Sequence, residues 1–164
     1  MRLKTTAYLK ATKIPIVIDL GFGDAITAPD YEIDYGSLLD MPSATVRAYS
    51  PETVMAEKFR ALIALGIVNS RMKDFYELYA IPLAVEISQN ALFKAIKSTF
   101  LRRETDLPRE RPTGFSKAFS NDPIRQTQWS AYSAETGVAG MRLEEICDDI
   151  WVHLEPVCAK ANQA

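Results

Sequence analysis

The first 50 residues carry a pattern of apolar and polar positions that is typical of strands and turns. Residues 2–9 alternate between the two classes, which is the two-residue period of a half-buried strand. Residues 14–20 form a denser apolar run rich in β-branched side chains, and this composition predicts a central strand. The rest of this part is predicted to contain polar turns at residues 30–40 and a short closing strand at residues 45–49.

From Ser50 onward the apolar positions change to the period of a helix. Ser50 is a favourable N-cap, Pro51 suits the first helical position, and Gly66 is a natural end, so a helix is predicted between them. Four more helices are predicted: one after Asn69 or Ser70, and others at residues 91–103, after Asn121 or Asp122, and at residues 142–157. Residues 109–120 contain Pro112 and Gly114 and are predicted to form a surface loop.

The two patterns together predict an α+β fold in two parts. Residues 1–50 would form a partial mixed sheet, and residues 51–164 a helical domain. The core is predicted to come from the inward faces of the helices, at Met55, Phe59, Leu62, Ile63, Phe75, Leu78, Tyr79, Leu92, Ile96, Phe100, Ile124, Trp129, Leu143, Ile146, Ile150 and Leu154.

Composition and charge narrow the class of protein. With 48% hydrophobic and 24% charged residues, the chain can bury a sizeable core. Its formal net charge of −2 supplies no overall basic field, so any contact with RNA would have to be local. Cys147 and Cys158 lack the spacing of a metal site or a disulfide framework, which fits a reducing cytoplasm. The first residues hold no long apolar segment, so neither a signal peptide nor a membrane span is expected.

Asp19 follows the apolar run and precedes two glycines, Gly21 and Gly23. A carboxylate at such a position can bind a metal, accept backbone hydrogen bonds or lie at a solvated strand end, and ordering the following turn is the commoner role. The glycine turn that leads to Asp24 could also bring backbone N–H groups near a phosphate. The metal and the structural interpretations of Asp19 both stay open.

Two charged residues lie at the edges of otherwise apolar helix faces. Lys58 either covers the core with its stem while the ammonium reaches water, or directs that ammonium at a triphosphate. Asp74, at the start of the next helix, either favours the positive helix end or acts together with Lys58. Arg71 and Lys73 flank it and could pair with it or with phosphate. Taken singly, such charges are usually structural, and so is His153, the single histidine.

Arginine side chains concentrate in the third predicted helix and in the loop that follows it. A locally basic surface of this kind could bind an RNA backbone. A solvated face is the commoner explanation for such a cluster, so both interpretations stay open. The residues are Arg102, Arg103, Arg109, Arg111 and Arg125.

Three stretches, taken in order, resemble a known family. They are Ile18-Asp19-Leu-Gly-Phe-Gly-Asp24, Ala56-Glu57-Lys58 and Arg71-Met-Lys-Asp74-Phe-Tyr76. An acidic strand, an Ala-Glu-Lys helix and an Arg-x-x-Asp helix start followed by an aromatic residue resemble the carboxyl half of the AbiEii/AbiGii family of nucleotidyltransferase-like toxins. The second aspartate common after the aromatic residues is Glu77 here, and the resemblance continues through Thr99-Phe-Leu-Arg-Arg103.

This resemblance implies transfer of a nucleotidyl group from a nucleoside triphosphate to an RNA or protein hydroxyl, with Mg²⁺. Some relatives modify tRNA, and an antitoxin protein is the implied partner. In that scheme Lys58 and Asp74 are catalytic, Lys58, Arg71 and Lys73 bind substrate phosphates, and Asp19 is a metal ligand. We therefore expect Lys58 and Asp74 to lie close together, on the side of the helical domain that faces Asp19.

One motif of the family has no match in this chain. The Gly-Ser turn and Asp-x-Asp pair that hold two metal ions precede the acidic strand, whereas residues 1–15 contain no Gly, Asp or Glu. Gly36-Ser37 has no Asp-x-Asp at a useful distance, and Asp30, Glu32 and Asp34 come too late in the family's order. The chain is therefore expected to be a carboxyl portion that holds Mg²⁺ weakly and retains little or no activity alone.

The rival interpretation is an inactive remnant that acts as a binding module. It would associate with an antitoxin, or with a separate amino-terminal half that restores the metal site. An apolar strand left at a sheet edge invites pairing, so this interpretation also predicts a homo-oligomer or a larger complex.

Overall fold

A computed structural model describes residues 1–23, 26, 28, 31–38, 40–138 and 140–163, so Asp24 and Asp30 lie outside the described residues. The described residues form four strands and then a set of helices, as an α+β fold requires. The strands are β1 (Arg2–Leu9), β2 (Thr12–Asp19), β3 (Glu32–Tyr35) and β4 (Ala44–Arg47). The helices are α1 (Pro51–Leu65), α2 (Met72–Ala84), α3 (Gln89–Arg102), α4 (Lys117–Ser120), α5 (Pro123–Thr136) and α6 (Leu143–Gln163).

Strands β1 and β2 form an antiparallel hairpin in which Arg2 lies opposite Asp19 and Leu9 opposite Thr12. Because side chains alternate across a strand, Leu3, Thr5, Ala7 and Leu9 share one face with Ile14, Ile16 and Ile18. Every residue of β2 is exposed. The prediction of a central strand was wrong, because the apolar density of residues 14–20 is that of a buried strand while β2 pairs with β1 alone in the described structure.

Strands β3 and β4 form a second antiparallel ribbon, and β3 lies within the segment that was predicted to be turns. That prediction was wrong because the alternating acidic residues of β3 are matched by polar partners on β4. The Thr45 hydroxyl donates to Asp34 Oδ1 at 2.9 Å, and Arg47 Nε lies 3.9 Å from Glu32 Oε1. Polarity here reflects an exposed strand, not a loop.

Helix α1 begins and ends where its sequence predicts. The Ser50 hydroxyl accepts a hydrogen bond from the Thr53 backbone N–H at 3.3 Å, and Pro51 occupies the first turn. At the other end Gly66 adopts φ of +54°, a conformation that glycine reaches without steric cost. A short 3-10 turn (Gly66–Val68) then leads towards α2. The predicted N-cap and C-terminal glycine are therefore both confirmed as the ends of α1.

The core is made by α1, α2, α3 and α6 around a cluster of buried aromatic rings. The Phe59 ring packs against Phe100 and Phe115 at centroid distances of 5.4 and 6.1 Å. Phe75 stacks on Phe119 at 5.2 Å. The large side chains predicted on the inward faces of α3 and α6 are all buried, which confirms those predictions.

The prediction of a surface loop at residues 109–120 was wrong. A 3-10 turn at Thr113–Phe115 and the short helix α4 instead bury Phe115 and Phe119 completely. A Cβ at Gly114 would lie 3.2 Å from the Gly66 carbonyl oxygen, so the absence of a side chain lets this segment approach the end of α1. The Pro and Gly content marks a tight structural turn here.

Helix α5 begins as predicted, with the Asp122 carboxylate accepting from the Ile124 and Arg125 backbone N–H groups. Trp129 is buried and its indole N–H donates to the Met141 carbonyl at 2.6 Å. Ile124 is 62% exposed, so its predicted burial was wrong. Ile124 lies in the first turn of α5, and its side chain points away from the buried face that contains Trp129.

Candidate functional site

Lys58 on α1 lies against the first two turns of α2. Its Nζ donates to Asp74 Oδ1 at 2.9 Å and forms an ion pair with Glu77 Oε2. The expectation that Lys58 and Asp74 lie close together is confirmed. The short connection between α1 and α2 and the packing of their apolar faces bring the two residues together.

The ammonium of Lys58 is held inside the protein surface instead of extending into water. The Lys58 and Asp74 side chains are only 21% and 14% exposed. Burial opposes the charge of Lys58, but hydrogen bonds to Glu77 and Asp74 outweigh it, so the pKa of Lys58 is raised. The side chain therefore stays protonated at neutral pH, as a phosphate-binding ammonium must.

Two further cations complete the group. Arg71 Nη1 lies 3.3 Å from Asp74 Oδ2, and Lys73 Nζ lies 3.7 Å from Glu77 Oε1. Lys58, Arg71, Lys73, Asp74 and Glu77 are called the lysine cluster below. Each carboxylate of the cluster contacts two cations, and three positive charges face two negative ones, which leaves a local excess of one positive charge.

The lysine cluster borders an open cleft of about 700 Å³ between α2 and α5, called the α2–α5 cleft below. The α2 side includes three cluster members at the start of that helix, where the helix dipole favours anions. The α5 side carries a phenol, an amide and a carboxylate. The cleft is lined by Ser70, Arg71, Met72, Lys73, Asp74, Gln128, Ala131, Tyr132 and Glu135.

The α5 side of the cleft was missed by sequence reasoning. Tyr132 packs on Trp129 and Tyr76 at centroid distances of 5.7 and 6.1 Å. Burial, and after it the charge of Glu77, raises the pKa of Tyr132. The spacing of Gln128, Tyr132 and Glu135 places them on one helix face, but it does not show that this face lies opposite α2.

Asp19 makes its contacts within the hairpin. Its two carboxylate oxygens accept from Arg2 Nε at 2.6 Å and Arg2 Nη2 at 2.8 Å. The Asp19 side chain is 62% exposed, and the hydrogen bond from Arg2 lowers its pKa. These contacts bring it to its strand partner and not to the lysine cluster, so the expected proximity of Asp19 to Lys58 stays a prediction.

The carboxylates of the described residues do not fit the Mg²⁺ site that the resemblance implies. Asp19 is engaged by Arg2, and Asp74 and Glu77 are both engaged by Lys58. No group of three or more His, Cys, Asp or Glu side chains able to hold a metal ion occurs in the part of the chain that the structure describes. A pair of divalent ions needs several free oxygen ligands, and this donor set does not supply them.

Most of the arginines that could form an RNA surface contact other protein groups. Arg102 Nε donates to the Gly23 carbonyl at 2.8 Å, and Arg103 lies 3.7 Å from Glu57. The others hold loops and helix ends: Arg111 contacts the Phe115 carbonyl and Asp148, and Arg125 contacts Gln128 and the Ile67 carbonyl. These contacts favour the structural interpretation of the basic segment.

The comparison with protein families bears on this geometry. Residues 1–148 match the family model described as the nucleotidyl transferase AbiEii toxin of a type IV toxin–antitoxin system. The chain belongs to the AbiEii family. The match includes the hairpin, both helices that carry the lysine cluster and the α5 wall of the cleft. No curated protein and no solved structure shows a significant match.

The match confirms the resemblance drawn from the three sequence stretches. The family is one of nucleotidyltransferase-type toxins, and the residues of the lysine cluster lie within the matched part of the chain. Among the helices that the structure describes, none combines the length and the apolar character needed to cross a membrane.

Proposed function

We propose that this AbiEii chain binds the triphosphate of a nucleoside triphosphate at the lysine cluster, as part of nucleotidyl transfer to an RNA such as tRNA, or to a protein hydroxyl. The observation that carries the proposal is the partly buried Lys58, whose partner Asp74 lines an open cleft together with Arg71 and Lys73. The family match supports the class of reaction, and the lysine cluster provides the cationic groups that would bind the phosphates.

The cluster suits a phosphate chain for three reasons. An ammonium has three N–H donors, and the two carboxylates on Lys58 leave one for a phosphate oxygen. Arg71 and Lys73 contact their carboxylates at 3.3 and 3.7 Å, longer than the strongest charged hydrogen bonds, so they can turn towards a more negative ligand. The start of α2 adds the positive end of a helix dipole.

Asp74 and Glu77 are positioning residues in this proposal. They keep Lys58 charged and orient its ammonium, because both carboxylates contact Lys58 Nζ directly. Asp74 also lines the cleft, where it could order the acceptor hydroxyl. The direct phosphate contacts come from Lys58, Arg71 and Lys73.

The transfer step is proposed to need metal ligands other than the carboxylates of the described residues. In nucleotidyl transfer two divalent ions stabilise the attacking and leaving oxygens. Since the carboxylates of the described residues do not fit that role, this chain alone is proposed to bind the triphosphate weakly and not to transfer it. Binding alone does not lower the barrier, because it stabilises ground and transition states alike.

The experiment measures binding of a labelled nucleoside triphosphate and its incorporation into total tRNA with Mg²⁺. We expect measurable binding by the unmodified chain, a loss of about tenfold or more in Lys58→Ala, and no incorporation by either. Lys94→Ala, which removes an exposed lysine on α3, is the matched control and should bind like the unmodified chain.

Equal affinity in Lys58→Ala and the unmodified chain would contradict the phosphate assignment. Robust incorporation that Lys58→Ala abolishes would contradict the statement that the chain does not transfer. In that case Glu32 and Asp34 on β3 would be the first residues to test as metal ligands.

A second candidate function is that of a binding module whose partner is an antitoxin or a second copy of the chain. The family description names a toxin–antitoxin system, and the hairpin presents an apolar face towards solvent. Leu3, Ile14, Ile16 and Ile18 on that face are 38–44% exposed. Apolar strands with free edges associate readily, which favours this candidate.

Light scattering at high micromolar concentration tests the second candidate. We expect a mass above the 18.3 kDa of one chain, and a return to that mass in Ile16→Lys, which places a charge on the apolar face. Val17→Lys, which adds the same charge to the opposite face of β2, should leave the assembly intact. A monodisperse monomer of the unmodified chain would count against self-association.

A further inference from the structure

One face of α5 forms a wall of the α2–α5 cleft that the phosphate chemistry does not use. Gln128, Ala131, Tyr132 and Glu135 recur at the spacing of a single helix face and line the same cleft as Arg71 and Lys73. The two walls differ in kind, because α2 presents cations whereas α5 presents a ring, an amide and a carboxylate. A ligand that spans the cleft would contact cations on the α2 side and an aromatic ring with polar groups on the α5 side.

The Tyr132 ring is held in place by other aromatic residues. It packs on Trp129 at 5.7 Å and on Tyr76 at 6.1 Å, and Trp129 is itself fixed by its hydrogen bond to Met141. Because these contacts restrict the ring before any ligand arrives, little entropy is lost when a flat ligand stacks on it. Nucleobases stack on such rings, and they do so largely independently of sequence.

The polar groups beside Tyr132 have complementary roles. Gln128 Oε1 accepts a hydrogen bond from Arg125 Nη1 at 2.9 Å, and this contact orients the amide so that Nε2 remains a donor. Glu135 is exposed on the next turn and offers carboxylate oxygens as acceptors. The edge of a nucleobase carries both hydrogen-bond donors and acceptors. Gln128 and Glu135, which lie on either side of Tyr132 along α5, can therefore both form hydrogen bonds with it.

We propose that the α5 face of the cleft binds the nucleobase of the nucleoside triphosphate whose phosphates lie at the lysine cluster, with Tyr132 stacking on the base and Gln128 and Glu135 contacting its edge. This proposal rests on the proposed function, since it takes the triphosphate site as its other end. The cleft volume of about 700 Å³ is in the range usual for small-molecule sites.

The experiment compares the four common ribonucleoside triphosphates with inorganic tripolyphosphate as ligands of the whole chain. Tripolyphosphate carries the charged part of the ligand without the base. We expect at least one nucleotide to bind about tenfold more tightly than tripolyphosphate. In Tyr132→Ala that advantage should disappear while the affinity for tripolyphosphate is retained, and Tyr132→Phe should keep it.

The same exchange at two exposed positions separates base recognition from a general effect on folding. Glu135→Gln exchanges acceptor oxygens for a mixed amide and should change the order of preference among the four nucleotides. Glu155→Gln makes the same exchange on α6, outside the cleft, and should leave that order unchanged. Circular dichroism of each variant should match the unmodified chain.

The outcomes separate this inference from the proposed function. If every nucleotide binds as tripolyphosphate does, and Lys58→Ala weakens both, the phosphate site stands and the base site is overturned. If neither ligand binds, the proposed function itself fails. If a short single-stranded RNA binds through Tyr132 while the nucleotides do not, the assignment of this wall to the base of the triphosphate is overturned.

Discussion

The helical region and the hairpin region of this protein use similar apolar content in opposite ways. Residues of α1, α2, α3 and α6 surround fully buried rings, whereas every residue of β2, β3 and β4 is exposed. Two-stranded ribbons cannot enclose a core by themselves, while four helices can. Apolar content therefore predicts what a segment can bury, and the number of neighbouring elements decides what it does bury.

The same contrast separates two ion pairs formed by aspartates. Asp19 and Arg2 pair across the hairpin with side chains 62% and 63% exposed. Asp74 and Lys58 pair across two helices and are 14% and 21% exposed. Solvent screens the first pair and screens the second far less, so the pair on the helices has the stronger influence on nearby charge.

The largest predicted effect tests the difference in packing. Phe59→Ala removes a ring that contacts Phe100 and Phe115 in the core, and it should lower the free energy of unfolding by about 3–5 kcal/mol. Ile16→Ala, on the exposed hairpin, should lower it by less than about 1 kcal/mol. Urea unfolding of both variants by circular dichroism measures this difference.

The measurement needs a probe that reports on the helices. The far-ultraviolet signal is suitable because far more of the described residues lie in helices than in strands. A cost for Ile16→Ala as large as that of Phe59→Ala would show that the hairpin is covered in solution, by a partner or by a second copy. That result would contradict the contrast between a buried helical core and a solvent-exposed hairpin.

Much of the helical region followed from local rules. The caps at Ser50 and Asp122 and the terminal Gly66 could be identified because each acts on neighbouring backbone groups. The buried role of Phe115 and Phe119 could not, because it depends on Gly114 approaching the end of α1, a contact between residues far apart in the chain. The exposure of β2 escaped prediction for the same reason, since only the fold decides what covers a strand.

The candidate site was predictable in part. The pairing of Lys58 with Asp74 followed from two amphipathic helices joined by a short connection, together with the family resemblance. Tyr132 and its neighbours on α5 were not predicted, since no local rule places that helix beside α2. Arg2 was missed as the partner of Asp19 because a hairpin register is needed to set the two opposite each other.

The smaller predicted effect compares the two aspartates directly. Asp74→Asn removes one of two carboxylates that hold a partly buried ammonium, and Glu77 remains as its partner. Breaking a fully buried pair is more costly than breaking an exposed one, so an intermediate loss of about 1–2 kcal/mol in the free energy of unfolding is expected. Asp19→Asn, which alters the exposed pair, should leave that free energy within experimental error.

Salt sharpens this comparison. Mobile ions reach the exposed Arg2 pair and weaken it, while the protein around Lys58 keeps them away. The cost of Asp74→Asn should therefore persist from low salt to 0.5 M sodium chloride, about five times the concentration at which screening acts over 10 Å. If that cost vanished in salt, Lys58 would be solvated as fully as Arg2. Lys58 would then lack the fixed, partly desolvated ammonium on which the phosphate assignment depends. In that case the Lys58–Asp74 pair would be no better a candidate for a functional site than the Arg2–Asp19 pair.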